Sequence, residues 1–242
     1  MKIAVINGQN HKGSTYHIGK QVADKLGGEV TEFFLPRDFG YFCVGCTQCF
    51  LKSETLCPHY ERLKKITEAM DEADVLIFTT PVYVYHCTGS MKAFLDHYGY
   101  RWMVHRPEQK MFTKQAVVIS TAAGSGTKSA NKYIADSMFF WGVPKTYRYG
   151  VNVRATNYSG VADELKKKID KKTTSIANKV KKNNGKVKAS LKTKGFFFIM
   201  RMIQKSGWNE TDKNYWAERG WNGKNRPWKT SCPLREFFQQ GS

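Results

Sequence analysis

A loop of small and polar residues follows the first apolar segment of the chain, and its residue types suit the binding of a phosphate group. Residues 2–7 run directly into Gly8-Gln9-Asn10-His11-Lys12-Gly13-Ser14-Thr15, after which a helical pattern begins. Amides at a helix N-terminus, hydroxyl side chains and nearby basic residues together bind anions well. We expect Ser14 or Thr15 to cap the helix. The alternative is an ordinary strand-to-helix turn that binds no ligand.

The absence of the P-loop lysine indicates which kind of phosphate group this loop would bind. Gly8 and Gly13 have the separation of the two glycines of a P-loop. However, Ser14 stands where that motif requires the lysine that reaches the β- and γ-phosphates of a nucleotide. The sequence therefore favours a terminal monophosphate over ATP or GTP.

Two further loops could form the walls of a pocket for a flat ring. One begins with Pro81-Val82-Tyr83-Val84, where the proline fixes φ and the neighbouring amides stay free. The other, Thr121-Ala122-Ala123-Gly124, consists of small residues that let backbone amides approach a ligand closely. The alternative is that the aromatic residues belong to the core and the glycines to turns. Three such loops together favour a slot with amide donors along its edge.

Four of the six cysteines lie in one run, with the pattern Cys43-x2-Cys46-x2-Cys49-x7-Cys57. Such density in a chain that shows no secretory signal argues against structural disulfides and for metal binding or redox chemistry. Three cysteines at three-residue steps with a fourth beyond them resemble iron–sulfur ligation, whereas zinc commonly uses two separated Cys-x2-Cys pairs. The remaining cysteines, Cys87 and Cys232, are isolated and receive no role.

The elements that must position these loops alternate along the chain. Residues 2–7, 29–35, 74–80, 115–121 and 146–153 have the pattern of strands, and residues 16–26, 60–73, 90–98 and 129–141 have the pattern of helices. This alternation predicts right-handed crossovers and a parallel sheet covered on both faces, which is a three-layer, doubly wound α/β domain. Ligands of such sheets bind beyond the carboxyl ends of the strands, where these loops lie.

The three loops, together with Met91-Lys92-Ala93-Phe94-Leu95-Asp96-His97, resemble a known family over about the first 155 residues. This family is the NADPH-dependent FMN reductase and iron–sulfur flavoprotein branch of the flavodoxin-like superfamily. The resemblance implies a five-stranded sheet in the order 2-1-3-4-5. It also implies FMN with its phosphate on the first loop and its isoalloxazine ring between the other two.

Carried over residue by residue, the resemblance implies FMN-binding roles for eleven positions. The phosphate residues would be Gln9, His11, Ser14 and Thr15; the residues along the ring and ribityl chain Pro81, Val82, Tyr83 and Val84; and those at the pyrimidine edge Thr121, Ala122 and Gly124. Gln9 replaces a usual serine and His11 a usual arginine. We therefore expect weaker and more pH-sensitive phosphate binding, because a neutral histidine offers less charge than a guanidinium.

The cysteine run resembles the compact motif of the iron–sulfur flavoproteins, which implies a [4Fe–4S] cluster on Cys43, Cys46, Cys49 and Cys57. Clusterless members of the family also keep cysteines here. The paired aspartates that often follow the last cysteine are replaced by Pro58-His59-Tyr60-Glu61. A cluster, free thiols and, least favoured, zinc stay open as alternatives.

The excess of positive charge belongs to the C-terminal third of the chain. Of 242 residues with a formal net charge of +19, residues 1–160 hold 19 basic and 13 acidic residues, and residues 161–242 hold 20 and 7. We therefore predict an FMN-binding domain at 1–160 and an extension at 161–242, with a lysine-rich helix over 159–182 and an aromatic tail. The hydrophobic content of 41% excludes a disordered chain.

The basic extension allows two interpretations. A lysine-rich helix beside the aromatic run 196–203 could contact an anionic membrane surface or nucleic-acid phosphates. We favour the other interpretation, in which a solvated helix packs on the sheet. The aromatic run and the tryptophans Trp208, Trp216, Trp221 and Trp228 would then form a subunit interface or cover the flavin.

Taken together, the sequence predicts an FMN-dependent NAD(P)H oxidoreductase that passes electrons to a small-molecule acceptor or a redox protein. Because the flavin supplies the hydride and electron chemistry, no catalytic side chain is predicted. The alternative is a non-catalytic flavin or iron–sulfur electron carrier that the basic tail attaches to a membrane surface or an acidic partner. A cytoplasmic location, homo-oligomers and no binding to nucleic acid are further expectations.

Overall fold

The computed structural model describes residues 1–229, in which a five-stranded sheet lies between two sets of helices. Every pair of neighbouring strands is parallel, and the strand order is β2-β1-β3-β4-β5. The predicted fold class and strand order are confirmed. The strands are β1 (Lys2–Asn7), β2 (Glu29–Phe34), β3 (Val75–Pro81), β4 (Gln115–Ala122) and β5 (Lys145–Asn152).

The helices predicted between the strands begin and end within two residues of their expected positions. The helices are α1 (Ser14–Leu26), α2 (Gln48–Leu51), α3 (Tyr60–Glu72), α4 (Gly89–Asp96), α5 (Thr127–Phe140), α6 (Asp163–Asn183), α7 (Leu191–Ser206) and α8 (Glu210–Glu218). Helix α6 begins four residues later than predicted. The side chain of Asn157 accepts hydrogen bonds from the Ser159 hydroxyl and the Gly160 amide, which holds this segment in a turn.

Alternate residues of each strand supply the two faces of the sheet. In β1, Ile3 and Val5 pack on the side of α1 and α6, whereas Ala4 and Ile6 pack on the side of α3, α4 and α5. This follows from the two-residue period of a strand. The lysine-rich helix α6 buries its apolar stripe, including Ile169 and Val180, on the first side. It therefore covers one face of the sheet and keeps most of its lysines in solvent.

The aromatic tail folds as two helices, α7 and α8, which were not predicted. Phe197, Trp216 and Trp221 are buried in this chain against Met103 and Phe112, which precede β4. The tail thus completes a third apolar cluster. Residues 230–242, which include Cys232 and the end of the predicted extension, lie outside the described residues. Among residues 1–229, no helix has both the length and the apolar character needed to cross a membrane.

Candidate functional site

A cavity of ≈ 210 Å³ opens at the carboxyl ends of β1, β3 and β4. The register of the sheet sets Asn7 beside Thr79 and Pro81 beside Thr121, so the loops that leave these strands begin at one level. Nine of the eleven predicted FMN residues line the cavity, namely Gln9, His11, Ser14, Thr15, Pro81, Val82, Tyr83, Thr121 and Ala122. The cavity lies where ligands of open parallel sheets bind.

The N-terminus of α1 lies in this cavity and has no side-chain cap. The expectation that Ser14 or Thr15 caps the helix is wrong. Gly13 is the N-cap, with extended backbone angles, and Ser14 is the first helical residue. Since glycine has no side chain to accept from the first-turn amides, those donors stay free for an anion at the positive end of the helix.

The Ser14 hydroxyl, like the first-turn amides of α1, lacks a hydrogen-bond partner among the described residues. Its oxygen is buried and makes no hydrogen bond within residues 1–229, whereas the neighbouring Thr15 hydroxyl is paired with that of Thr121. A buried hydroxyl without a partner costs free energy. An anion that accepted its hydrogen at the uncapped helix end would remove that cost, so this end of the cavity fits a phosphate group.

The floor of the cavity is held by a buried polar network around Asn7 and Gly8. The Thr79 hydroxyl donates to Asn7 Oδ1 at 2.8 Å, and the hydroxyls of Thr88 and Ser90 donate to the Gly8 carbonyl at 2.6 and 3.0 Å. A Cβ atom on Gly8 would lie 2.9 Å from Thr88 Oγ1. The first loop is therefore packed tightly against the segment after β3, and only glycine fits at this position.

A tight turn after β3 forms the rim of the cavity. Tyr83 and His86 exchange backbone hydrogen bonds of 3.0 Å, and the two residues between them have positive φ, +47° at Val84 and +65° at Tyr85. Positive φ is a strained conformation for a β-branched residue. Val84 is 92% exposed and does not line the cavity. The Tyr83 hydroxyl accepts a hydrogen bond from the Gln9 side chain, which joins the rim to the first loop.

Gly124 is the other predicted residue that does not line the cavity; its carbonyl accepts a hydrogen bond from the Asn152 side chain. The lining also includes residues that were not predicted, among them Val153, Ala155 and Thr156. These follow β5, so the rule that directs a search to the carboxyl ends of strands could have found them. None of the tail tryptophans Trp208, Trp216, Trp221 and Trp228 is part of the lining.

The four clustered cysteines lie in the long connection between β2 and α3. Cys43 and Cys46 are exposed, and Cys49 and Cys57 are half-buried. Burial, with smaller contributions from the thiols of Cys57, Cys43 and Cys46, raises the pKa of the Cys49 thiol to about 11. Three thiols therefore lie near enough to Cys49 to influence its ionisation. Within residues 1–229, however, the four sulfur atoms do not form a group in which all lie within 4.8 Å of one another.

A second arrangement of metal-ligand types shares one of these cysteines. Ligand atoms of Cys57, His59 and His97 lie within 4.8 Å of one another. His97 Nδ1 donates to the Ala93 carbonyl at 2.7 Å, so its Nε2 accepts from His59 Nδ1 at 2.9 Å. Burial lowers the pKa of His97 and favours this neutral form. His97 had no predicted role, because no sequence signal connects it with a cysteine forty residues earlier.

A buried ion pair ties the cysteine connection to the C-terminal tail. Asp212 of α8 is fully buried and accepts from Arg106 Nη1 at 2.6 Å and from His105 Nδ1 at 2.7 Å. The same Arg106 guanidinium donates to the carbonyls of Cys49 and Phe50. We call Arg106 and Asp212 the tail clamp. Through it, the position of Cys49 depends on α8.

These features define a flavodoxin-like domain with a cavity at the carboxyl ends of its strands, and comparison with known proteins gives its family. The family model described as NADPH-dependent FMN reductase matches residues 1–153. The chain therefore belongs to this family of flavin oxidoreductases, and the predicted resemblance is confirmed. An NAD(P)H-dependent oxidoreductase is the class of enzyme to which this membership assigns it.

Relatives and solved structures agree with this assignment. An iron–sulfur flavoprotein of Archaeoglobus fulgidus is 28% identical over 158 residues, which cover 64% of this chain and 67% of the relative. A second iron–sulfur flavoprotein of that organism is 33% identical over 99 residues, 40% of this chain and 48% of the relative. The chain thus spans about two thirds of one relative and about half of the other.

A solved FMN-dependent NADH-azoreductase from Bacillus anthracis has the same fold. It superposes with a TM-score of 0.54 at 13% sequence identity and covers 75% of this chain and 100% of that chain. At this identity the likeness concerns the fold alone.

Proposed function

We propose that the protein is an FMN-dependent NAD(P)H oxidoreductase that passes electrons to a small-molecule acceptor or a redox protein. The observation that carries this proposal is the uncapped N-terminus of α1, with the unpartnered Ser14 hydroxyl, in a cavity at the carboxyl ends of β1, β3 and β4. Family membership supports FMN as the ligand of that cavity.

The phosphate end of the flavin would be held by the first loop. The first-turn amides of α1 and the Ser14 hydroxyl would donate to phosphate oxygens, with Gln9 and His11 beside them. The hydroxyl of Thr15 is already paired with Thr121, so we assign Thr15 mainly to fixing the distance between the first and third loops. No lysine follows Gly13, which agrees with a single phosphate group.

The ring end would lie between the segments Pro81 to Tyr83 and Thr121 to Ala122. The Val82 amide is already used, because it donates to the Thr121 carbonyl at 2.8 Å and so holds the two walls together. We propose that exposed Val84 and Tyr85 flank the entrance by which a nicotinamide or an acceptor reaches the ring. Gly124, whose carbonyl is bound to Asn152, would act on the shape of the third loop rather than on the flavin.

The protein residues at this site need to perform no proton or electron transfer of their own. FMN, when bound, supplies the hydride and electron chemistry. The residues around it need only bind and orient the ring and admit a second reactant. For this reason we assign no catalytic acid or base, and the proposal does not depend on one.

The direct test is reduction by a nicotinamide under anaerobic conditions. The full chain loaded with FMN is expected to lose its yellow colour when NADH or NADPH is added without any partner protein, and to regain it when an acceptor such as a quinone is added. A yellow protein that is inert to both nicotinamides would instead be a non-catalytic electron carrier, and the enzymatic proposal would be wrong.

We further propose that Cys43, Cys46, Cys49 and Cys57 hold a [4Fe–4S] cluster. The spacing of the run and the names of the two relatives support this assignment. Four iron atoms would need all four thiolates, which the tail clamp and the turns of this connection would hold in place.

Metal analysis of anaerobically purified protein tests the cluster. We expect stoichiometric iron and acid-labile sulfide, both lost in Cys46→Ala and kept in His97→Ala. Zinc that is kept in Cys46→Ala and lost in His97→Ala would contradict the cluster, and would place a mononuclear metal on Cys57, His59 and His97.

The partners and surroundings follow from the same proposal. Small-molecule acceptors or redox proteins, homo-oligomers and a cytoplasmic location remain our expectations, and nucleic acid is not an expected ligand. The exposed side chains at the cavity rim, Tyr83, Val84 and Tyr85, would give an acceptor or a second subunit an apolar surface to contact.

A further inference from the structure

Helix α7 is held to the protein by one face. Thr193, Phe197, Met200 and Gln204, spaced four, three and four residues apart, are its buried residues. Phe197 stacks on Trp216, and Gln204 Nε2 donates to the Val104 carbonyl at 2.6 Å. This inner face packs in the third apolar cluster. Its packing determines the orientation of the opposite face of the helix.

The opposite face of α7 is also apolar and lies in solvent. Leu191, Phe198 and Met202 are seven and four residues apart, and Ile199 lies beside them. Their exposed fractions are 87, 54, 53 and 55%. We call these four residues the outer stripe. Nothing within residues 1–229 covers them, and a contiguous row of large apolar side chains in solvent is typical of an interaction surface.

Positive charge borders the outer stripe. Lys194, Arg201 and Lys205 follow one edge of the helix, and Lys192 lies on the other. Residues 171–209 include eleven basic and no acidic residues. No ion pair within the described chain neutralises these four side chains. The surface is therefore apolar in its centre and cationic at its edges.

The neighbouring helix α6 shows that lysine content alone does not create this surface. Its buried residues, including Ile169 and Val180, form a single stripe that packs on α1 and the sheet. No large apolar side chain of α6 is exposed. It is a solvated basic helix, whereas α7 carries both an anchoring face and an exposed apolar face.

We propose that the outer stripe of α7, with its basic edges, docks on the surface of an anionic lipid bilayer. The helix would lie in the plane of the interface, with Phe198, Ile199 and Met202 among the acyl chains and the basic side chains at the headgroups. Trp208, just beyond α7, is 56% exposed, and tryptophan favours this interfacial depth.

The charges favour a bilayer over two other occupants. A second copy of the chain on this face would bring two cationic edges together, which is repulsive. A nucleic acid would use the lysines but would leave four large apolar side chains without a matching surface. Of these three occupants, the anionic bilayer alone matches both the apolar centre and the cationic edges of the surface. This inference goes beyond the proposed redox function and does not depend on it.

Co-sedimentation with vesicles tests the proposal on the full chain. At low salt we expect the protein to sediment with vesicles of mixed phosphatidylcholine and phosphatidylglycerol and not with phosphatidylcholine alone. Binding is expected to fall about tenfold or more in Lys194→Glu/Lys205→Glu, and by a similar factor in Phe198→Ser/Met202→Ser. All four positions are exposed, so the variants should fold, which circular dichroism would confirm.

A matched charge reversal on α6 is the control. Lys171→Glu/Lys172→Glu changes the net charge equally on an exposed part of α6, and should alter vesicle binding by at most about twofold. The proposal is overturned if the wild-type protein does not sediment with anionic vesicles, or if the two α7 variants bind as it does. Retention on heparin without vesicle binding would show a polyanion surface instead. Self-association lost in Phe198→Ser/Met202→Ser, without vesicle binding, would show a subunit interface.

Discussion

Replacing Asp212 by asparagine is expected to lower the free energy of unfolding by about 3 kcal/mol, and replacement by leucine by up to about 5 kcal/mol. Asp212 is fully buried and is the carboxylate partner of Arg106, which is itself 6% exposed. Removing the negative charge leaves the buried guanidinium with only the more exposed Glu54 carboxylate, 3.7 Å away, as a counter-ion. Because Arg106 also holds the Cys49 and Phe50 carbonyls, the cysteine connection should loosen as well.

Urea unfolding and amide hydrogen exchange measure the two parts of this prediction. Asp163→Asn is the matched control: Asp163 forms an exposed ion pair with Lys166 in the first turn of α6, and its loss should cost less than about 1 kcal/mol. In Asp212→Asn, exchange should accelerate in residues 49–52 and in α8 more than in β1. A loss of stability below about 1 kcal/mol, or unchanged exchange in these segments, would show that the tail clamp is unimportant.

Placing a carboxylate at the helix end that we assign to phosphate should reduce FMN affinity by two to three orders of magnitude in Ser14→Asp. A like charge about 4 Å from the phosphate costs about 4 kcal/mol at an effective dielectric constant near 20. The same carboxylate suits the first turn of a helix, so the fold should be retained or slightly stabilised. Fluorescence titration with FMN gives the affinity, and thermal unfolding gives the stability.

Two controls separate repulsion of the phosphate from damage to the pocket. Riboflavin, which lacks the phosphate, should bind wild type and Ser14→Asp with similar affinity. Ser14→Ala, which removes only a hydrogen bond to a charged group, should weaken FMN binding about tenfold. Equal losses for FMN and riboflavin in Ser14→Asp would mean that the phosphate lies elsewhere.

The alternating sheet and its loops could be predicted because their signals are local. The continuous apolar, β-branched run of β1 and the glycines and hydroxyls of 8–15 can be read within a few residues. The topology rule then brings loops distant in sequence together, and nine of eleven named residues indeed line one cavity. Val84 and Gly124 do not, because a turn with positive φ and a contact with Asn152 are tertiary details that the sequence hides.

The tail helices could not be predicted for a physical reason. In α7 the buried Phe197 and Met200 alternate with exposed Phe198, Ile199 and Met202, so apolar residues occupy both faces and the helical period disappears. The same residues that hide the helix from sequence patterns form the surface that we propose for lipid. An amphipathic pattern becomes visible only when the face that packs on Met103 and Phe112 is known.

Polar contacts between residues far apart in the chain could not be predicted from the sequence either. Arg106 and Asp212, or His97 and Cys57, are far apart in the chain, and each residue type has many ordinary surface roles. The missing cap of α1 is another case. Ser14 and Thr15 are good capping residues, yet Gly13 takes the cap position, and the Ser14 hydroxyl is left for a ligand.

Parallel titrations of the flavin-free full chain with FMN and with riboflavin test the central claim most directly. We expect one FMN per chain, quenching of its fluorescence, and an affinity for FMN at least about tenfold higher than for riboflavin, because only FMN carries the anion that the end of α1 binds. Absence of quenching, or equal affinities for the two flavins, would contradict the assignment of this cavity.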